Sequence, residues 1–171
     1  VASTMEAMRE GRCGIGPLDI PDVDRLSIQI GAQVKNYDET LHFNRQQIAL
    51  YDRFTQFTLL AAREAIGQSG LTFSGELADQ SGVVLGTSGG GLNTQDDNYR
   101  AVYAEGKNRV HPFIVPKLMN NAAACHVSME WKLRGPSFTV ATACASSNHA
   151  MGQAFNMVRS GMAKVMVTGG S

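Results

Sequence analysis

Cys144 is the residue of this chain whose setting best suits chemistry. Before it, Phe138, Val140 and their neighbours read as a short buried strand; after it, Ala150, Met151, Ala154, Phe155 and Val158 recur at helical spacing. The cysteine therefore falls on the turn between strand and helix. Rigid elements on both sides would hold a side chain there, and the unpaired N–H groups and dipole of the following helix favour a thiolate, the nucleophilic form of cysteine. Ala143, Ala145, Ser146 and Ser147 keep the bend uncrowded, so a substrate carbonyl can approach and backbone N–H groups can hold the oxyanion formed on attack. The chemistry expected of such a residue is thiolate acyl transfer. The alternative is an inert small hydrophobe, since free cysteines are among the most buried residues.

A cysteine hydrolase would need a histidine within hydrogen-bond reach of the sulfur. His149 lies five residues further along the helix, about 140° around its axis at 3.6 residues per turn, and is expected to point away. A structural hydrogen bond is expected of His149 instead; His126 sits on a helix among apolar residues, as a satisfied core histidine would, and His111 precedes a proline in a loop. No general base is assigned.

The elements that must position Cys144 follow from the pattern of the chain. Ser3 or Thr4 can cap a short helix that Gly11 ends, and Gly14, Gly16 and Pro17 mark a loop. From Leu26 to Val34 apolar and polar residues alternate, which predicts a half-buried strand. Ile48, Tyr51, Thr55, Thr58, Ala62 and Ala65 line one face of a helix from about Gln47 to Gln68, closed by Gly67 and Gly70, with Asp52 and Arg53 a polar patch beside the stripe. Val83 to Leu85 read as a strand covered on both faces, followed by GTSGGG at Gly86 to Gly91. That loop has neither dinucleotide nor Walker spacing and no lysine after Gly91, which argues against phosphate binding. Thr94 can cap the next helix, with Asp96 and Asp97 in its first turn and Gly106 beyond its end. His111 to Pro116 is expected to be extended and to lead into a helix from Leu118 to Met129, and a last strand runs from Val165 to Thr168.

Composition narrows the function classes. At 171 residues and 43% hydrophobic content the chain can build one real core. Its formal net charge is zero and no basic run interleaves with aromatics, which disfavours nucleic-acid binding. No apolar run approaches the roughly 20 residues of a membrane span, and no signal pattern opens the chain. Three cysteines without paired C-x-x-C spacing suggest neither a disulfide framework nor a zinc site, so no metal is expected and a cytoplasmic setting is.

The motifs carry a resemblance. TACASS at Thr142 to Ser147, RGPS at Arg134 to Ser137 and VMVTGGS at Val165 to Ser171 resemble the active-site region of the beta-ketoacyl-acyl carrier protein synthases, the ketosynthase I/II type of the thiolase superfamily. STMEAMREGRCGI near the start, the Asp52 to Ala65 helix, GTSGGG and HPFIVP at His111 to Pro116 fall in the family's order, so the resemblance covers nearly the whole chain. It implies an α/β, thiolase-like layered sheet-and-helix domain. Residues 1–171 would form its N-terminal portion, without the family's first strand and without the later half that carries two histidines, a lysine and a glycine-rich gate.

By the same resemblance Cys144 accepts an acyl group from acyl carrier protein, and a carbanion from malonyl-acyl carrier protein then lengthens it by two carbons. Gly89 and Gly90 would wall the acyl pocket, with Gly89 leaving it more open than the bulkier residue of some relatives. Ile114 would reach the acyl tunnel of the partner in a homodimer. Arg45, Lys107 and Arg109 would meet the acidic carrier, although relatives often place more basic residues around Gln46 to Leu50. No cofactor is implied, because phosphopantetheine arrives on the carrier. ATACASS is closer to the dissociated fatty-acid type than to modular polyketide synthases; a specialised lipid or nodulation-type enzyme stays open, and chain-length factors, which lack the nucleophile, are disfavoured. A different reading of the isolated chain is a non-catalytic assembly or carrier-binding module.

Overall fold

The computed structural model describes residues 2–171, which fall into two compact units divided between Asp38 and Glu39. In the first, helix α1 (Ala2–Arg9) ends before Gly11, and strand β1 (Ile15–Pro17) pairs antiparallel with β2 (Ile30–Ala32). The loop expected at Gly14 to Pro17 is thus largely a strand. The strand expected from Leu26 to Val34 shrinks to three paired residues preceded by a 3-10 turn at Val23–Arg25. Its apolar side faces outward within this unit, with Leu26, Ile28, Ile30 and Val34 all exposed. Alternation marks which side is apolar; pairing and burial depend on partners the segment itself does not encode.

The second unit is built on a parallel sheet of order β4-β3-β5, with β3 at Ser81–Gly86, β4 at Ser137–Val140 and β5 at Val165–Gly170. Every residue of β3 is buried, as expected of a central strand covered on both faces. Val83 and Leu85 point into a core shared with Phe54, Leu59 and Ala62 of α3 (Arg53–Ser69) and Ala123 and Val127 of α7 (Ala122–Trp131). Gly86 has the opposite parity, and its open side lies against the start of α8 (Ser146–Arg159). The two crossovers, β3 to β4 through α7 and β4 to β5 through α8, travel in opposite directions across the sheet. Right-handed connections therefore put α7 and α8 on opposite faces.

Helix α8 lies close to the sheet because its inward stripe, Ser146, Ala150 and Ala154, is small. Met151, Phe155 and Val158 share the apolar pattern but face outward.

The helix expected from Gln47 to Gln68 is two helices, α2 (Arg45–Leu50) and α3, broken at Tyr51 and Asp52. Asn44 and Gln47 form a reciprocal capping box on α2. Asp52 is a buried cap of α3 rather than a surface polar patch, and Gly70 closes α3 in the left-handed conformation. Arg63 of α3 grips Glu130 of α7 with two hydrogen bonds of 2.6 and 2.9 Å, its guanidinium lying 5.0 Å from the Phe43 ring centre.

Further differences follow from local competition. After α4 (Gly75–Asp79), α5 spans Leu92–Tyr99 and runs into a π turn at Arg100–Ala104; Gly91 takes the capping position and Thr94 lies buried inside the first turn. Asp96 and Asp97 consequently fall beyond that turn. The segment expected to be extended at His111 to Pro116 contains the start of a short helix, α6 (Ile114–Leu118), and α7 begins only at Ala122. Pro116 tolerates this because it lies in the first turn, where no N–H is needed.

His126 on α7 meets the Tyr51 ring edge-on at 4.5 Å, and burial holds its pKa below the ordinary histidine value. The unfolded chain then takes the proton more readily than the folded one, so this contribution to stability is complete above about pH 6.5 and is lost as the pH falls through the lowered value. Chemical denaturation between about pH 7 and pH 5.5 should show a loss of stability that is shallower in His126→Gln. Equal slopes would remove His126 from the account.

Candidate active site

Because the three strands are parallel, their carboxyl ends meet on one edge, where Gly86 is in register with both Val140 and Gly170. The chain leaving each end is stitched to its neighbour: Thr87 N–H donates to Val140 O at 3.1 Å, and Ser171 N–H to Gly86 O at 3.0 Å. Ligand sites of open α/β sheets form at such an edge, where successive connections depart to opposite sides.

Cys144 lies here, exposed, on the bend between β4 and α8. Ala143 is held at φ +50°, a left-handed conformation that costs a non-glycine residue about 1 kcal/mol or more. The buried Ser146 hydroxyl offsets that cost. Its Oγ accepts the Thr142 N–H at 2.9 Å and donates to Ala143 O at 2.7 Å, while Ala145 N–H and Ser146 N–H donate back to Thr142 O and Ala143 O, each at 3.1 Å. The bend is thereby fixed immediately before Cys144. Exposure alone does not single out Cys144, since Cys13 is also exposed; position on a clamped strand-to-helix bend does. Cys144 is exposed, so it is not the buried small hydrophobe of the alternative reading.

Ser146→Ala removes both sides of the clamp. It is expected to lower the unfolding free energy by about 1–3 kcal/mol and to alter the rate at which iodoacetamide alkylates Cys144. Wild-type stability together with a wild-type alkylation rate would mean that the hydroxyl does not hold the bend.

The glycine loop starts where β3 touches α8. Gly90 adopts φ +49°, and a side chain there would strike Asn120. Thr87 Oγ1 accepts the N–H groups of Gly89 and Gly90 at 3.5 and 3.2 Å, and Gly91 N–H donates to Leu118 O at 3.1 Å. The amides of Gly89, Gly90 and Gly91 are therefore engaged by the protein itself, a second reason that the loop does not cradle phosphate. A side chain at Gly89 would meet only the tip of Leu92, at 2.9 Å.

The other expected site residues lie on several elements. Ile114 starts α6 and lines a separate cleft of about 260 Å³ together with Thr94, Asp97, His111 and Lys117. Arg45 is exposed at the head of α2, and Arg109 is exposed beyond the π turn. Lys107 is ion-paired with Glu105 at 2.7 Å. His149 is exposed on α8, and among the described residues no side chain hydrogen-bonds the Cys144 sulfur. Among the same residues no cluster is arranged to hold a metal, and no helix is long and apolar enough to cross a membrane.

Sequence reasoning misses the hydrogen-bonding roles of Asp52, Thr87 and Ser146. Asp52 carried a legible signal, an acidic residue directly before an apolar-periodic run, which is a helix start. Thr87 and Ser146 are small hydroxyls on turns, where such side chains commonly bond local backbone.

Comparison with known proteins agrees with this geometry. Residues 1–171 match the family described as "Beta-ketoacyl synthase, N-terminal domain". The chain is 42% identical over 169 residues to Nodulation protein E of Rhizobium sp. (strain N33), covering 99% of this chain and 42% of that protein. It is 34% identical over 166 residues to 3-oxoacyl-[acyl-carrier-protein] synthase 2 of Synechocystis, covering 97% and 40% respectively. The chain thus spans about two fifths of the length of these relatives. Among solved structures, the ishigamide ketosynthase/chain length factor superposes with a TM-score of 0.82 at 24% identity, over 99% of this chain and 47% of that one, which shows the same thiolase-type fold.

Proposed function

The chain belongs to the beta-ketoacyl synthase family, as its N-terminal domain, and on that premise we propose that it supplies the acyl-accepting cysteine of an enzyme that lengthens carrier-bound acyl chains. The observation that carries this reading is Cys144 exposed on a clamped bend at the carboxyl edge of the sheet. The Cys144 thiolate attacks the thioester carbonyl of an acyl-carrier protein, and the carbon gains a bond to Sγ as the electrons move to oxygen. Collapse of that intermediate expels the carrier thiolate, which takes up a proton, and leaves the acyl group on Cys144. Backbone N–H groups at the head of α8 suit the transient oxyanion. In the second half-reaction the carbanion left by loss of carbon dioxide from a malonyl thioester attacks the acyl-cysteine, forming a carbon–carbon bond and releasing Sγ.

The relative named 3-oxoacyl-[acyl-carrier-protein] synthase 2 supports acyl carrier protein as the partner. A paired arrangement of subunits fits the neighbour that joins a ketosynthase to a chain length factor. A cytoplasmic enzyme needing no cofactor of its own completes the proposal. The test is the full-length protein incubated with an acyl-carrier protein and malonyl-carrier protein. A β-ketoacyl product two carbons longer than the primer supports the reading, and carrier binding without product points instead to an assembly module.

One observation favours a specialised pathway over housekeeping fatty-acid synthesis. Identity is 42% and 39% to two nodulation proteins E but 34% and 33% to synthases of the fatty-acid name. Competition between the organism's housekeeping carrier and its other carriers decides this, a specialised enzyme preferring the latter.

A further inference from the structure

Asp52 is a buried carboxylate that joins two helices far apart in sequence. Its Oδ1 accepts the Phe54 N–H at 3.4 Å and so caps α3, while Oδ2 accepts both the N–H and the hydroxyl of Thr94, at 2.9 and 2.5 Å, in the first turn of α5. Between β3 and Thr94 lies the glycine loop. A side chain at Gly91 would come within 3.3 Å of Asp52 Oδ2 and 2.5 Å of Leu118 Cα, so the chain passes tightly beneath the carboxylate. The loop is thus tied at its start by Thr87 Oγ1 and at its far end by Asp52 through Thr94.

The tie continues toward the nucleophile. Phe54 O, in the turn that Asp52 caps, accepts the Ser171 hydroxyl at 2.7 Å; Ser171 N–H donates to Gly86 O, and Gly86 packs against the backbone of Ser146, two residues beyond Cys144. A capping aspartate needs only the first of these contacts. Receiving two hydrogen bonds from one residue 42 positions away is what a cap does not explain.

We propose that Asp52, acting through Thr94, is a positioning residue that holds the Gly86–Gly91 loop against the Cys144 edge and thereby sets which acyl chains reach the sulfur. The selectivity part rests on the acyl-transfer reading above. The hold on the loop does not. A carboxylate suits the task because Oδ2 can accept two donors at once and Oδ1 a third, whereas an amide would turn an N–H₂ group toward one of them. Loss of the Thr94 hydroxyl leaves the N–H contact in place, which makes Thr94→Val a milder probe than Asp52→Ala.

The experiment compares wild type, Asp52→Ala, Thr94→Val and Thr94→Ser in the full-length protein with three readouts: amide hydrogen exchange at Gly89 to Thr94, alkylation of Cys144 by iodoacetamide, and the ratio of Cys144 acylation rates with lauroyl- and butyryl-pantetheine. Thr94→Val should speed loop exchange and raise the lauroyl-to-butyryl ratio by about fivefold, a difference near 1 kcal/mol, while alkylation stays near wild type; Thr94→Ser should restore both. Asp52→Ala, where it folds, should exceed Thr94→Val. Unchanged loop exchange in Thr94→Val overturns the tether. Faster exchange with an unchanged ratio overturns the selectivity role, and alkylation falling in step with acylation shows a general loss of structure instead. If the wild type accepts no acyl group from either thioester, the acyl-transfer reading and the selectivity role fall together, while loop exchange still judges the tether.

Discussion

Replacing Cys144 with alanine is expected to abolish the acyl adduct of the full-length protein and to lower turnover by about 10³-fold or more, with little change in stability. The large effect on chemistry follows because no neighbouring group can substitute: the flanking residues are Ala143 and Ala145, and no side chain bonds the sulfur among the described residues. The small effect on stability follows from exposure, since truncating an exposed side chain leaves no cavity. Cys144→Ser separates geometry from nucleophilicity, because the hydroxyl fits the same bend but lacks the thiolate. It should fold like the wild type and remain unacylated. Retained adduct in Cys144→Ala, read by intact mass, would move the acyl group to another residue.

Gly86→Ala is expected to be strongly disruptive, because its methyl would fall on backbone rather than on a movable side chain. The added carbon falls inside contact with the Ser146 carbonyl and lies 2.5 Å from Ser147 N, and these are backbone atoms that have no rotamer by which to move aside. Relief requires sliding the head of α8 away from β3, which disturbs the Ser146 clamp and the bend that carries Cys144. Overpacking of this kind costs about 3 kcal/mol. Denaturant unfolding should therefore show a strong loss of stability, with slowed acylation in whatever fraction remains folded. The same methyl at Gly67 meets no neighbour within 4 Å and serves as the control. Equal stability of the two variants would contradict the close approach of β3 and α8.

How much of this was readable beforehand depends on whether the relevant physics is local. Cys144 between a strand and a helix was legible because both flanking patterns lie within about one element of it, and strand β5 and the glycine closure of α3 were legible for the same reason. Asp52 was misread because a polar residue beside an apolar stripe looks the same whether it faces water or caps a new helix; the partner that buries it, Thr94, is 42 positions away. Thr94, a small hydroxyl ahead of Asp96 and Asp97, reads in sequence as a cap. Its hydroxyl is drawn instead to Asp52, leaving Gly91 at the helix start. At Leu26 to Val34 neither the length of the strand nor its burial matches the alternation: only Ile30–Ala32 pair and the apolar side is exposed, because period gives the apolar side of a segment without giving anything to pair with it or cover it. Helix α8 shows a related limit: five apolar residues share one pattern, yet only the two alanines are buried, since the short distance to the sheet selects for size.

The claim on which the rest depends is that the acyl group rides on the sulfur at the bend. Trypsin places each cysteine in its own peptide, Cys13 in residues 13–25, Cys125 in 118–132 and Cys144 in 135–159, because arginine or lysine bounds each segment. The full-length protein, exposed to acyl-carrier protein, quenched in acid and then digested briefly with trypsin near neutral pH, should carry the added acyl mass on the peptide 135–159 alone. Acyl mass on the peptide of Cys13 or Cys125, with 135–159 unmodified, would contradict the account.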